Sequence, residues 1–281
     1  MTVVDGNFSG TLSRDINDYP EGIVVVMDKP YRWTSADVIR KVKFAAIRHF
    51  NKKNLKVGHA GTLDPLATGV LLVCIGNACK KAMEFQAGDK EYVAGVCFGA
   101  TTPSYDMEKD IDRTFPIDKV TENSVRAILP GFLGEQDQVA PLFSAKQVDG
   151  RRAYELARRM LAEGKALDEA ASQLLQVNHI CINSIELESY GSSTELAPAL
   201  AAEGKGSGAS SRINVAVLPD GLPVATIRVS CSKGTYIRAL ARDMGERLES
   251  GAFLCSLQRS ACGAFRVENA ATVEKAVEVL R

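Results

Sequence analysis

The stretch KVGHAGTLDPLATGVL, Lys56 to Leu71, sets one carboxylate, Asp64, between a leucine and a proline, with glycines on both sides and His59 upstream. Most loop acids are solvated, but Leu63, Leu66 and Val70 imply a packed, partly desolvated setting for this one. Such a residue could cap a helix, assist a phosphate loop, bind a metal or catalyse. A Walker loop requires Gly-Lys-Ser/Thr at the helix start, and none of these follows Gly69. The dinucleotide fingerprint requires a glycine triplet after a strand, which Gly58 and Gly61 do not supply. The other histidines, His49 and His179, lie in unrelated segments, so a metal site lacks ligands and a cofactor-free mechanism is the economical expectation.

A lone aspartate can still do covalent chemistry, because carboxylates act as nucleophiles at sugar anomeric carbons. Hydrolytic glycosidases need a second carboxylate for the leaving group and the water. Asp106 and Asp243 are the candidates, and each reads equally as a turn residue or a helix-surface partner. One carboxylate suits a reaction that breaks and remakes a glycosidic bond without water, of which uridine-to-C-glycoside isomerisation is an example. A pocket of that kind wants an arginine to hold the acid ionised and an aromatic ring to stack on an extruded base. SKGTYIRALARD offers Arg238 and DKEYVAG offers Tyr92, although spacing alone suits a surface charge and a packing residue as well.

These residues need elements to position them. GIVVVMDKP is an apolar run of strand length that stops at Pro30. Thr34 and Ser35 stand where an N-cap would, ahead of ADVIRKVKFAAIRHF, whose Val38, Ile39, Val42, Ala45 and Ala46 follow helical spacing. VLLVCIG reads as a strand, residues 78–85 as a helix and KEYVAGVCFG as a further strand. Residues 100–120 read as a polar loop, and TENSVRAILPGF as a short helix broken at Pro130. GRRAYELARRMLAEG has an amphipathic helical pattern. Residues 191–221, rich in Gly, Ser and Ala, read as a flexible surface insertion. LPVATIRVSCSKG and TYIRALARDMGERLES complete the pattern as strand and helix. Strands interleaved with helices, several joined by short loops, predict an α+β fold with a mixed, largely antiparallel central β-sheet flanked by helices.

Composition narrows the class. The 281 residues, 46% hydrophobic and 24% charged, suit a soluble globular protein. No apolar run approaches the roughly 18 residues of a membrane span, and the opening lacks signal-peptide order, so a cytoplasmic protein is expected. Seven scattered cysteines, an odd number, read as reduced core thiols. A formal net charge of zero argues against indiscriminate coating of nucleic acid. It leaves room for one basic face, since Lys52, Lys53 and Lys56, then Arg151, Arg152, Arg158 and Arg159, and Lys233, Arg238 and Arg242 are bunched.

Five stretches resemble, in order, the motif set of the bacterial TruB family of tRNA pseudouridine synthases: residues 22–39, 56–80, 90–106, 140–159 and 229–245. The resemblance implies a cofactor-independent isomerase converting the T-loop uridine at position 55 of tRNA to pseudouridine; a monomer with no membrane partner is the expectation beside it. It implies that Asp64 is the catalytic aspartate, acting on the ribose or the uracil ring, or through elimination at the ribose. Tyr92 matches the tyrosine that stacks on the target base and takes part in proton transfer, and Arg238 the arginine paired with the aspartate. His59 matches a histidine packing among flipped T-loop nucleotides, Lys29 a lysine near the active site, and Leu257 an apolar residue lining the uracil pocket.

Departures from the pattern accompany the match. Ala140 replaces a proline, Gln147 holds the position of a lysine, and Gln258 and Ser260 are substitutions in LQRS, where Leu257 and Arg259 remain. The expected organisation is a catalytic domain over 1–265 and a short helical tail over 266–281, in place of the C-terminal RNA-binding domain that relatives carry. Two other readings are a non-catalytic RNA-binding protein of the same fold, which Asp64, Tyr92 and Arg238 argue against, and a nucleoside or nucleotide hydrolase.

Overall fold

The structure is a computed structural model that describes residues 1–141, 143, 147–148, 151–152, 160, 177–195 and 213–281. Its main sheet orders its strands β1-β2-β4-β13-β5-β12-β11-β8, with β3 added to β4 and β14 to β13. These are β1 (Thr2–Val4), β2 (Ile23–Lys29), β3 (Val57–Ala60), β4 (Thr68–Ile75), β5 (Lys90–Phe98), β8 (Gly134–Val139), β11 (Val177–Ser192), β12 (Pro223–Cys231), β13 (Ala252–Cys262) and β14 (Phe265–Arg266). Pairs β2–β4, β3–β4, β11–β12 and β8–β11 are antiparallel, whereas β1–β2 and β4–β13 are parallel. The expected mixed, largely antiparallel sheet is therefore present.

By contacts the chain forms two compact units: one holds Met1–Tyr92 and Leu257–Arg281, and the other holds most of the chain between Val93 and Ser256. In the first, β2 explains its unbroken apolar run by being buried on both faces. Ile23, Val25 and Met27 join one cluster with Leu71 and Val73 of β4, while Val24 and Val26 join another with Val70, Leu72 and Cys74. Helix α1 (Ser35–His49) covers the first face with Val38, Val42, Ala45 and Ala46. The short helix α5 (Val273–Val279) adds Val273 and Ala276 to the same cluster, so the C-terminal segment belongs to this core.

Sequence and structure differ at three places. The expected helix over 78–85 is a 3-10 turn, Gly76–Lys81, followed by α2 (Ala82–Ala87). Gly76 leaves β4 at φ 67° with its N–H tied to the Lys56 carbonyl at 2.8 Å, and the tighter turn reverses the chain in fewer residues. The polar loop over 100–120 contains a two-residue ladder, β6 (Ala100–Thr101) against β7 (Arg113–Thr114), too short to leave an alternation in sequence. Most of GRRAYELARRMLAEG lies outside the described residues, but its Arg151–Arg152 form strand β10, paired with β9 (Gln147–Val148). The centre of the 191–221 segment, 196–212, lies outside them too. Its flanks are tied together: Ser193 Oγ donates to the Pro219 carbonyl at 2.6 Å and accepts from Leu222 N at 3.0 Å. Helix α3 (Glu122–Ile128) ends as the proline predicts, in a 3-10 turn over Leu129–Phe132.

The start of α1 agrees with its sequence in detail. Thr34 is the N-cap: its side chain accepts from Asp37 N at 3.1 Å while Asp37 Oδ2 accepts from Thr34 N at 2.9 Å. Replacing Thr34 by Ala should lower the unfolding free energy by about 1 kcal/mol. Urea denaturation checks this, and an unchanged midpoint would show that the cap contributes nothing.

Candidate active site

Asp64 sits between β3 and β4 in a loop whose backbone is tied at several points. Ser35, the first residue of α1 and 3% exposed, accepts from Leu63 N at 3.0 Å and donates to Leu63 O at 3.2 Å. The Asp64 carbonyl accepts from Ala67 N at 3.1 Å, closing a turn. Leu63, Leu66 and Val70 are buried and Asp64 is half-buried, the desolvated setting its neighbours implied.

Lys29 ends β2 with no exposed surface. Its Nζ donates to the carbonyls of Pro30 at 2.9 Å, Trp33 at 2.7 Å and Pro65 at 3.2 Å. One of these acceptors is therefore the carbonyl of the residue that follows Asp64. Burial pushes the Lys29 amine down to about 7, and Arg259 adds to the lowering, whereas the charges of Asp64, Asp28 and Asp37 draw it back up. Asp28 beside it accepts from Gly69 N at 3.0 Å, and burial raises its carboxyl in spite of that bond and of Lys29.

Tyr92 of β5 and Leu257 of β13 both pack, partly buried, on the cluster that includes Trp33, Leu63, Ala67 and Met27. Lys29 bonds the Trp33 carbonyl and Asp64 follows Leu63, so both adjoin residues of the cluster on which Tyr92 and Leu257 pack. His59 lies on β3, paired with Val73 of β4. Burial, and after it the Arg259 charge, hold its imidazole below the ordinary histidine range, and its Nδ1 has no hydrogen-bond partner among the described residues.

Arg238 belongs to the second unit, where it is the second residue of α4 (Ile237–Arg247) and 5% exposed. Its Nη1 donates to the Ser104 carbonyl at 3.1 Å and its Nε stands 3.7 Å from Asp106 Oδ2. Asp106 is itself 6% exposed and accepts from Ser104 Oγ at 2.6 Å and Glu108 N at 2.9 Å. The turn that presents it strains Tyr105 to φ 57°, and one helical turn along α4 the Arg242 guanidinium lies 5.7 Å from the Tyr105 ring centre. Sequence reasoning left Asp106 open as a turn residue, read Ser35 with Thr34 as an N-cap candidate rather than as a tie to Leu63, and assigned no task to Arg259. The signal for Asp106 was its place in TTPSYD, whereas nothing local marked Arg259.

A half-buried carboxylate electrostatically coupled to a buried amine, with a tyrosine on the adjoining core cluster, supplies parts used in covalent or proton-transfer chemistry at a flat base and its sugar. The Lys29 titration has a thermodynamic consequence. An unfolded lysine titrates near 10.4, so between about pH 7 and 10 the unfolded chain binds more protons at this position than the folded one. Stability contributed by Lys29 therefore rises with pH through that window and is flat below it. The difference in unfolding free energy between wild type and Lys29→Met should shift towards wild type from pH 7 to 10, and a difference independent of pH would contradict the lowered titration.

Residues 48–195 match the model of the TruB family pseudouridylate synthase N-terminal domain. Over 263 residues the chain is 43% identical to tRNA pseudouridine synthase B of Phocaeicola vulgatus, covering 94% of this chain and 95% of the relative. The protein of that name from Bacteroides thetaiotaomicron is 45% identical over 252 residues, 90% of each chain. Among solved structures, a chain of a Cbf5-Nop10-Gar1 complex superposes with a TM-score of 0.58 at 22% identity over 98% of this chain. One from an H/ACA RNP bound to a substrate RNA containing 2'-deoxyuridine gives 0.55 at 21% over 92%. This chain spans only 60% and 53% of those two solved chains, and the likeness to them is one of fold. At more than 40% identity across nearly its whole length to curated members, the chain belongs to the TruB family of pseudouridylate synthases.

Proposed function

We propose that this protein isomerises uridine to pseudouridine at position 55, in the T-loop of tRNA, with Asp64 as its catalytic carboxylate. The observation that carries the reading is the near end-to-end likeness to proteins named tRNA pseudouridine synthase B. The tied, half-buried Asp64 loop beside Lys29, Tyr92 and Leu257 supports it. The reaction breaks the C1′–N1 bond, rotates the detached uracil and joins C1′ to C5. The C5 proton is lost and N1 gains one, so no water is consumed and no second carboxylate is required. Asp64 acts on C1′, on the uracil ring, or as the partner of an elimination at the ribose. Tyr92 stacks on the base and its phenol takes part in proton transfer, while Leu257 lines the uracil site. Arg238, oriented within its own unit by Ser104 and Asp106, is the arginine that the family resemblance assigns to the catalytic aspartate, and His59 packs among the displaced nucleotides.

Extruding a nucleotide from a folded loop costs roughly a few kcal/mol, which contacts to the T-arm must offset. Lys52, Lys53 and Lys56, all exposed just ahead of β3, suit phosphate contacts that recognise the shape of the arm. Among the described residues no helix is long and apolar enough to cross a membrane. We place the enzyme in the cytoplasm, acting as a monomer.

Incubation with unmodified tRNA, followed by mapping of pseudouridine-specific chemical adducts, should mark position 55. A product at another uridine would move the substrate site, and release of free uracil would make the protein a hydrolase. Asp64→Asn should abolish turnover and leave tRNA binding intact, which a filter-binding assay run beside the activity assay reads directly. Tyr92→Phe keeps the ring and loses the hydroxyl, so it should slow turnover by about 100-fold or more while binding persists. Normal turnover in that variant would remove the phenol from the chemistry.

A further inference from the structure

Arg259 is the largest fully buried side chain of the described residues, 2% exposed, and it forms no ion pair with any described carboxylate. A buried guanidinium satisfied by carbonyls alone is an expensive feature to keep. Its Nε donates to Val70 O at 2.7 Å and its Nη2 to Gly61 O at 3.2 Å. Those two carbonyls lie at opposite ends of the loop that carries Asp64: Gly61 directly follows β3, and Val70 is the third residue of β4. The backbone of Arg259 completes the contact. It is in parallel register with Gly69, where a Cβ would come within 2.2 Å of the Arg259 carbonyl oxygen.

We propose that Arg259 is the positioning residue of the Asp64 loop, a single guanidinium that ties the loop's entry at Gly61 to its exit at Val70 and so fixes where the carboxylate stands. Arg259 acts through the loop backbone. Its planar fork reaches two carbonyls at once in a fixed geometry, which the single ammonium of a lysine does not reproduce. With the strap loosened the loop keeps its Ser35 and Lys29 ties and the β3–β4 ladder as far as Ala60 and Leu72, but loses the link that carries this closure one step further, from Gly61 to Val70. A carboxylate displaced by about 1 Å from its reacting carbon loses on the order of 100-fold in rate.

The inference rests on the proposed role of Asp64, so its test separates the two. Wild type, Arg259→Lys and Arg259→Gln are compared in single-turnover pseudouridine formation with enzyme saturating, in tRNA binding, and in hydrogen–deuterium exchange. Arg259→Lys should lower the single-turnover rate by about 100-fold with tRNA affinity unchanged, and Arg259→Gln at least as far. Exchange should rise in the peptide covering 61–70 and stay at the wild-type level in the peptide covering 23–29. A wild-type rate per folded molecule in both variants would overturn the proposal. So would exchange that rises equally in both peptides, or failure of both variants to fold, since Arg259 would then serve the fold as a whole. If wild type itself makes no pseudouridine, the functional reading fails, while the exchange comparison still decides whether the strap exists.

Discussion

Two cations share one row of the sheet because the residue between them has no side chain. Gly69 pairs with Lys29 of β2 on one side and with Arg259 of β13 on the other, and it sits at φ 96°. Any larger residue would strain the backbone and drive a Cβ into the Arg259 main chain. Removing each cation from water costs several kcal/mol, and the protein offsets this with carbonyls rather than with carboxylate contacts alone. Lys29 takes those of Pro30, Trp33 and Pro65, and Arg259 those of Gly61 and Val70. These acceptors belong to the turn entering α1 and to the loop around Asp64. The desolvation of two charges is therefore converted into order in the two segments that shape the site.

The second unit handles a buried cation differently. Arg238 faces Asp106, a carboxylate already committed to Ser104 Oγ and Glu108 N, so the pair is held by hydrogen bonds on the acid's side as well. Removing Asp106 would take a carboxylate away from a charge in a nearly closed setting, which costs more than the intact pair contributes. Lys29 can escape such a penalty by giving up its proton near pH 7, a route that arginine lacks. Lys29 is thus a buried cation whose charge depends on pH, and it is electrostatically coupled to Asp64.

What the sequence revealed follows from the range of the forces involved. The Thr34 cap, the two-faced β2 and the packed neighbourhood of Asp64 were legible because each rests on residues a few positions apart. Asp64 itself stood out because its leucine and proline neighbours were inconsistent with a solvated loop. Arg259 was not legible: its partners lie 189 and 198 residues away, and only the parallel register of β13 on β4 brings them together. Asp106 was visible as a residue but not as a partner, because a two-residue ladder and a strained Tyr105, rather than a periodic pattern, aim it at α4. The 3-10 turn after β4 escaped for a related reason, since the tie between Gly76 and Lys56 that tightens it joins segments separated by the whole Asp64 loop.

A rearrangement that uses one carboxylate places an unusual demand on that loop. A hydrolase divides its work between two acids and can discharge its intermediate to water, so modest mobility of either acid costs rate but not outcome. In a uridine isomerisation the detached base must be recaptured at a different atom by the same sugar carbon, and the pocket must keep its shape while the base turns. In the roles proposed for them, an apolar wall at Leu257 and a stacking ring at Tyr92 would permit rotation without directing it. Direction has to come from a carboxylate whose backbone does not follow the base. Ties from Ser35 on α1, Lys29 on β2 and Arg259 on β13 reach the loop from three separate elements and at different points, Leu63, Pro65 and the Gly61–Val70 ends, so each fixes a part of its course that the others do not. Backbone anchoring at several points around one acid is the physical substitute for a second acid.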